Sequence, residues 1–296
     1  GLVPRSGVFA RLRAMLDLAP RALPSPAGRQ THFQAESPVR KHVALLAGCA
    51  QQVLAPHIND ATIRLLTRHG CEVAIAPEAG CCGALNHHLG QEEQAKHFAA
   101  ANIAAWGKLF GGKGPDAVVI NTSGCGTVVK DYGFMFREDK TLAEPAARIA
   151  AATRDISELM TELGLNAPAT KPGLTVAYQS ACSLQHGQRV TREPAALLAA
   201  AGFVVRDLPE AHLCCGSAGT YSMLQPDLAG ALRARKLANI AKVSPQVIAS
   251  GNLGCMTHLA AASEVPVVHT VELLDWATGG PVPEALAGRA DTGKDG

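Results

Sequence analysis

The chain has 296 residues, with Lys+Arg 27 against Asp+Glu 25, a formal net charge of +2 and 47% hydrophobic residues. This is the composition of a globular protein of about two domains. No apolar run approaches the roughly 20 residues that cross a bilayer, so a transmembrane anchor is excluded. Only 4% of residues are aromatic and no Arg/aromatic stripe occurs, which sets nucleic-acid binding aside.

Residues 1–38 read as a basic, Pro/Arg-rich arm with a short amphipathic helix over residues 8–18. Over residues 1–41, Arg5, Arg11, Arg13, Arg21, Arg29, Arg40 and Lys41 face only Asp17 and Glu36, leaving the remainder net acidic. The chain opens on Gly1 rather than Met, as a fragment of a longer chain would. Leu2-Val3-Pro4-Arg5-Ser6-Gly7 resembles a protease-cleavage scar with its last two residues transposed. Its smooth run into the Arg/Leu pattern favours native sequence.

A first repeat is expected over 39–165. An apolar strand, Val43-Ala44-Leu45, leads to Cys49, and a helix over 60–69 closes on Gly70. After a second strand, Pro77-Glu78-Ala79 precedes Cys81-Cys82-Gly83. An Ala-rich helix over 91–106, a strand over 117–120 and Gly124-Cys125-Gly126-Thr127 follow.

Residues 166–173, with Pro168 and Pro172, read as a linker, and the pattern then returns over 174–279. Val176-Ala177-Tyr178 leads to Cys182, and a helix over 193–201 closes on Gly202. Pro209-Glu210-Ala211 precedes Cys214-Cys215-Gly216, a helix over 228–241 and a strand over 246–249 follow, and Gly254-Cys255-Met256-Thr257 closes the repeat. In both copies 31 residues separate the first cysteine from the pair. Residues 280–296 read as a flexible tail.

Each copy runs strand, helix, strand, helix, strand. The expected fold is α/β: two tandem Rossmann-like repeats with small parallel sheets, the cysteines lying at strand ends and helix N-termini.

Nine cysteines without a secretory signal fit a reducing compartment, where clustered cysteines read as metal ligands or redox groups. Adjacent cysteines are poorly placed to bond each other, but both can face one metal if the backbone turns at Gly83 or Gly216. Cys49, Cys81, Cys82 and Cys125 make four sulfurs in the first repeat, and Cys182, Cys214, Cys215 and Cys255 four in the second. Soft ligands of this kind select zinc or an iron-sulfur cluster. A lone cysteine packs as a small hydrophobe, but that does not explain eight at repeated spacing. The ninth, Cys71, stands where the second repeat has Phe203 and reads as a packing residue. His258 follows Cys255 at ligand spacing, with Val128 at the equivalent position. His87 and His88, after the first pair, and Tyr221, after the second, either line a substrate or quinone pocket or sit on solvated turns.

The doubled Cys-x31-Cys-Cys-Gly...Cys pattern resembles the cysteine-rich CCG domain family over about residues 40–278. That family includes the CCG-bearing component of heterodisulfide reductase, lactate-utilisation iron-sulfur proteins and the iron-sulfur subunit of glycolate oxidase. Residues 81–90 (CCGALNHHLG), 214–221 (CCGSAGTY) and 251–258 (GNLGCMTH), with the basic arm, are most similar to the glycolate oxidase branch.

The resemblance implies a 4Fe-4S type cluster and electron transfer, with glycolate oxidised to glyoxylate at an FAD on partner subunits. It implies a quinone or other membrane acceptor and a cytoplasmic chain, peripheral on the inner face of a bacterial membrane. Disulfide chemistry at a Cys-Cys pair and a zinc- or thiol-stabilised docking module are the rival readings. Two departures stand out. The ferredoxin-like Cys-x2-Cys-x2-Cys-x3-Cys-Pro runs of the glycolate oxidase subunit are absent here. The fifth cysteine of the heterodisulfide reductase motif is replaced by Val128 and His258.

Overall fold

The computed structural model describes residues 30–288 together with Phe9, Leu12, Met15 and Leu16. Most of the helix expected over 8–18 and the end of the 280–296 tail lie outside the described residues.

The first sheet comprises β1 (His32–Phe33), β2 (Lys41–Leu45), β3 (Cys71–Ala74), β4 (Ala117–Ile120) and β5 (Thr153–Asp155), in the order β1-β3-β2-β4-β5. The second comprises β6 (Thr175–Tyr178), β7 (Val204–Arg206), β8 (Val247–Ser250) and β9 (Val267–His269), in the order β7-β6-β8-β9. In each, the strand leading to the first cysteine is central, flanked by the second and third strands of its repeat, all parallel. Strands β4 and β8 are buried at every position, as apolar runs covered on both faces must be.

Alternate residues of each strand face different cores. Val43, Leu45 and Val119 of the first sheet share one cluster with Val176, Tyr178 and Val247 of the second. The helices Pro56–Arg68, Ile156–Leu163, Glu193–Ala200 and Thr270–Ala277 supply Leu65, Leu159, Leu198 and Leu274 to it, so they form a shared layer between the sheets. Ala44, Val118 and Ile120 face an outer core closed by Ile103, Trp106 and Val129. Ala177 and Ile248 face the corresponding outer core of the second repeat, with Ile240 and Leu259.

Three features depart from the sequence reading. The arm is not wholly separate, because β1 pairs antiparallel with β3, making the first sheet mixed. The tail is anchored at its start, since the turn Glu284–Leu286 sinks Leu286 into the shared core. The first helix begins at Pro56, a turn earlier than expected. Proline is pre-set for a helix start, and Asn59, inside the helix, turns into the core. It gives its Nδ2 to the Ala47 carbonyl at 2.8 Å and accepts from Gln51 at 2.6 Å.

The repeats are clamped together. Asp275 on Thr270–Ala277 is buried and accepts from Arg64 Nε at 2.9 Å and from Arg68, both on Pro56–Arg68. Residues 164–174 carry no helix or strand, and the Asn166 N–H donates to His69 Nε2 at 2.9 Å.

Candidate metal centre

In each repeat the sheet's carboxyl edge gathers four cysteines that the sequence scatters. Cys49 follows the end of β2, Cys81 and Cys82 lie just before the helix Ala84–His88, and Cys125 sits in the first turn of Ser123–Lys130. The Cys49 and Cys81 sulfurs are 3.7 Å apart, and Cys82 and Cys125 pack in the same outer core. The second repeat copies this. Cys182 precedes a π-helical turn (Ser183–Gln188), Cys214 and Cys215 precede Gly216, and Cys215 packs in one buried cluster with Cys255, in the first turn of Leu253–Ala260. In the first row Cys49 is exposed, Cys81 and Cys125 are half-buried and Cys82 is buried; in the second Cys182 and Cys214 are half-buried and Cys215 and Cys255 buried. Among the described residues no three Cys, His, Asp or Glu side chains close around one metal-sized point. The sulfurs lie as chains of neighbours.

Glycine makes this possible. Gly83 (φ +84) and Gly216 (φ +95) hold a left-handed turn that places both cysteines of a pair on one side. A Cβ on Gly83 would lie 2.9 Å from the Ala95 carbonyl, and one on Gly216 would collide with the Ala229 carbonyl. The same two glycines point their N–H groups at sulfur, at 3.4 Å to Cys81 and 3.3 Å to Cys214. Cys71, by contrast, lies on β3 in the shared core with no exposure, and burial pushes its thiol up to about 11.

Electrostatics explain what the sites require. The Cys49, Cys82, Cys182 and Cys215 thiols are raised, chiefly by hydrogen bonds with neighbouring thiols and then by burial. For Cys81 the bond from Cys49 lowers, but the bond with Cys82 and burial outweigh it. Cys214 alone is lowered, first by the bond from Cys182 and then by that from Cys215. Thiols this crowded share protons, and a bound cation would be needed to hold all four as thiolates. Four sulfurs, backbone N–H groups aimed at them and a rim open to solvent fit a thiolate-ligated iron-sulfur cluster.

The two rows are neighbours. Ser123 and Ser183, close in sequence to Cys125 and Cys182, share a hydrogen bond of 2.7 Å. Thr127 donates to the Ser183 carbonyl at 3.1 Å, Gln188 to the Ser123 carbonyl at 2.9 Å, and Asn252 to Ser123 Oγ at 2.9 Å.

The remaining candidates are three histidines and a tyrosine. His258 Nε2 donates to the Ala229 carbonyl at 3.2 Å beside Gly216. His87 lines a cavity of about 530 Å³ with Lys96, Asp131, Phe134 and Arg137. His88 is exposed on the same helix, and Tyr221 begins Tyr221–Leu224, half-buried.

Sequence reasoning missed the buried residues that brace the pairs. Asn102 accepts from the Gly80 N–H at 2.8 Å and donates to the Cys81 carbonyl at 2.9 Å, while the Tyr132 hydroxyl donates to the Cys82 carbonyl at 2.9 Å. In the second repeat Lys236 donates to the carbonyls of Glu210 and Ala211, at 3.1 and 3.3 Å. A helix-by-helix alignment of the repeats carries that signal, because Asn102 and Lys236 are polar positions inside otherwise apolar faces.

The profile of the cysteine-rich domain, CCG, matches residues 43–130 and 176–260, one match for each cysteine row. The chain belongs to the CCG cysteine-rich domain family. This CCG protein is 38% identical over 278 residues to the glycolate oxidase iron-sulfur subunit of Escherichia coli (strain K12), covering 94% of this chain and 66% of that protein. It is 31% identical to the probable glycolate oxidase iron-sulfur subunit of Bacillus subtilis (strain 168), covering 82% and 56%. Lactate utilization protein A of Bacillus cereus (strain B4264) is 24% identical over 79% of this chain and 98% of its own length. The chain thus spans about two thirds or less of the two glycolate oxidase relatives. A crystal structure of a hypothetical protein from Helicobacter pylori shares the fold, with a TM-score of 0.58 at 10% identity over 96% of this chain and 56% of that one.

Proposed function

We propose that this chain is the electron-transfer part of a flavin-dependent complex that oxidises glycolate to glyoxylate, each cysteine row holding an iron-sulfur cluster of the 4Fe-4S type. The observation that carries this reading is the doubled row of four sulfurs, in a chain 38% identical over 278 residues to a glycolate oxidase iron-sulfur subunit. Cys49, Cys81, Cys82 and Cys125 are the ligands in the first repeat, and Cys182, Cys214, Cys215 and Cys255 in the second. When bound, such a group supplies single-electron transfer, passing the two electrons of a flavin oxidation one at a time to an acceptor. The protein's part is to hold the sulfurs by Gly83 and Gly216, to donate N–H groups to them, and to keep the outer sulfurs at the surface.

FAD belongs to the partner subunits in this reading, and the acceptor is a quinone or another carrier at the membrane. No helix among the described residues is long and apolar enough to cross a membrane; in this reading the chain meets the inner face of the cytoplasmic membrane peripherally. His87, with His88 beside it, marks the cavity as a pocket candidate, and Tyr221 marks the corresponding place in the second repeat. Glycolate is preferred to lactate because the glycolate oxidase relatives are the more similar, 38% against 24%.

Purification under strict anaerobiosis, reconstitution with the flavoprotein and assay of acceptor reduction test the reading. Cys81→Ser and Cys214→Ser are expected to abolish reduction while folding and partner binding persist. Loss of folding alone would favour a zinc- or thiol-stabilised docking module.

A further inference from the structure

The two cysteine rows are built alike but charged differently. The carbonyls of Ala95 and Ala229 lie against Gly83 and Gly216 in the same way, which fixes these alanines as equivalent. Counting along the helices Glu92–Gly107 and Pro226–Ala241 from them pairs Ala99 with Arg233 and Asn102 with Lys236. Counting from the closing cysteines pairs Val128 with His258. At three equivalent positions the first repeat is therefore neutral where the second carries a base.

Lys236 is the decisive one. Its side chain is among the largest fully buried ones, at 1% exposure, and no described carboxylate pairs with it. The Glu210 carboxylate beside it turns away to Arg235 and Asn239, so the ammonium keeps only two backbone carbonyls. A buried cation held by neutral dipoles alone is costly unless a negative partner lies close. The carbonyls that hold it belong to residues 210 and 211, four and three residues before Cys214, and Asn102 at the equivalent helix position donates to the carbonyl of Cys81 itself, so the ammonium lies beside the second cysteine row. Arg233 reaches the His258 carbonyl at 3.3 Å and His258 lies against Gly216, so both stand on the same side of that row. In the first repeat the neutral Asn102 stands at that helix position and braces Gly80 and Cys81 instead.

We propose that Lys236, supported by Arg233, makes the two sites electrostatically unequal, so that a thiolate-ligated centre in the second repeat accepts an electron at a higher potential than its counterpart in the first. The inference rests on the iron-sulfur reading above. Its physical basis is that reduction adds one negative charge, and a fixed cation in a low-dielectric surrounding stabilises the more negative state. Lys236 itself touches no sulfur. It is a positioning residue acting through the field at the cysteines.

The test is a redox titration of the whole protein monitored by electron paramagnetic resonance, alongside iron and acid-labile sulfide analysis. The wild type is expected to show two midpoint potentials. Lys236→Met lowers the higher one and leaves the lower unchanged, while Lys236→Arg keeps both near wild type. Arg233→Gln, on a partly exposed side chain, shifts the same midpoint downward by less, and serves if Lys236→Met fails to fold. Coincident midpoints in the wild type, movement of the lower midpoint, or no movement in either charge-removing variant would overturn the inference while leaving the iron-sulfur reading intact. A wild type without iron and labile sulfide would overturn both.

Discussion

Two buried titratable residues, Asp155 and His269, border the same small cavity between the repeats and pull stability in opposite directions with pH. Burial raises Asp155 from 3.8 to about 6, so the folded protein binds a proton there that the unfolded chain releases, and stability falls as pH rises through that window. Burial lowers His269 from 6.5 to about 4, so its contribution is complete above 6.5 and lost as pH falls toward 4. The neutral ring suits its site: Nε2 donates to the Asn121 carbonyl at 2.7 Å and Nδ1 accepts from the Val271 N–H at 3.1 Å. Each effect is worth about 3 kcal/mol, and over pH 4 to 6 they largely offset. Asp155→Asn, which preserves the helix cap, is expected to uncover the histidine: denaturant unfolding should then show a steeper loss of stability between pH 6.5 and 4 than in the wild type. An unchanged pH profile would refute this. At Cys71 the expectation is plain: Cys71→Ala costs about 1–2 kcal/mol by leaving a small cavity and leaves metal content unaltered. Loss of metal in that variant would return Cys71 to the ligand set.

The turn at each cysteine pair and the clamp between the repeats decide stability among the elements. Gly83→Ala forces a side chain into a left-handed turn and against a backbone carbonyl 2.9 Å away. The expected cost exceeds about 1 kcal/mol, with loss of metal from the first repeat only. Thermal unfolding and metal analysis check both. The Asp275 clamp is weaker than its buried position suggests. Burial holds its carboxyl above the ordinary value despite Arg64 and Arg68, and the Arg64 side chain is 41% exposed, able to return to water. Asp275→Asn should therefore cost about 1–2 kcal/mol, below the usual loss for a severed buried pair. The elements themselves were largely legible in sequence because the central strands are apolar runs ended by turn signals. Strand Ala117–Ile120 falls where the pattern placed it. The antiparallel β1 was not legible, since a two-residue strand has no periodicity and takes its shape from pairing with β3. Nor was Leu286, one apolar residue in a polar stretch, anchored by a core assembled from far earlier residues.

Across the whole molecule, one pattern in sequence became two adjoining sites in space. Spacing alone gave eight cysteines in two sets, and the repeat set Cys71 apart. What spacing could not give is that the helix bearing Cys125 packs on the turn after Cys182, because Ser123, Ser183, Gln188 and Asn252 carry no motif and meet only once the repeats dock. The charge asymmetry at Lys236 was hidden for a related reason: it requires the two helices to be brought into register through the glycine contacts. Everything proposed for the molecule depends on each row of four cysteines holding its own iron-sulfur cluster. The decisive measurement is iron and acid-labile sulfide per chain on anaerobically purified wild type, Cys125→Ser and Cys255→Ser. Each variant is expected to retain about half the wild-type iron and sulfide, with the loss confined to its own repeat. Stoichiometric zinc without labile sulfide in the wild type would contradict two independent clusters, as would wild-type content in both variants.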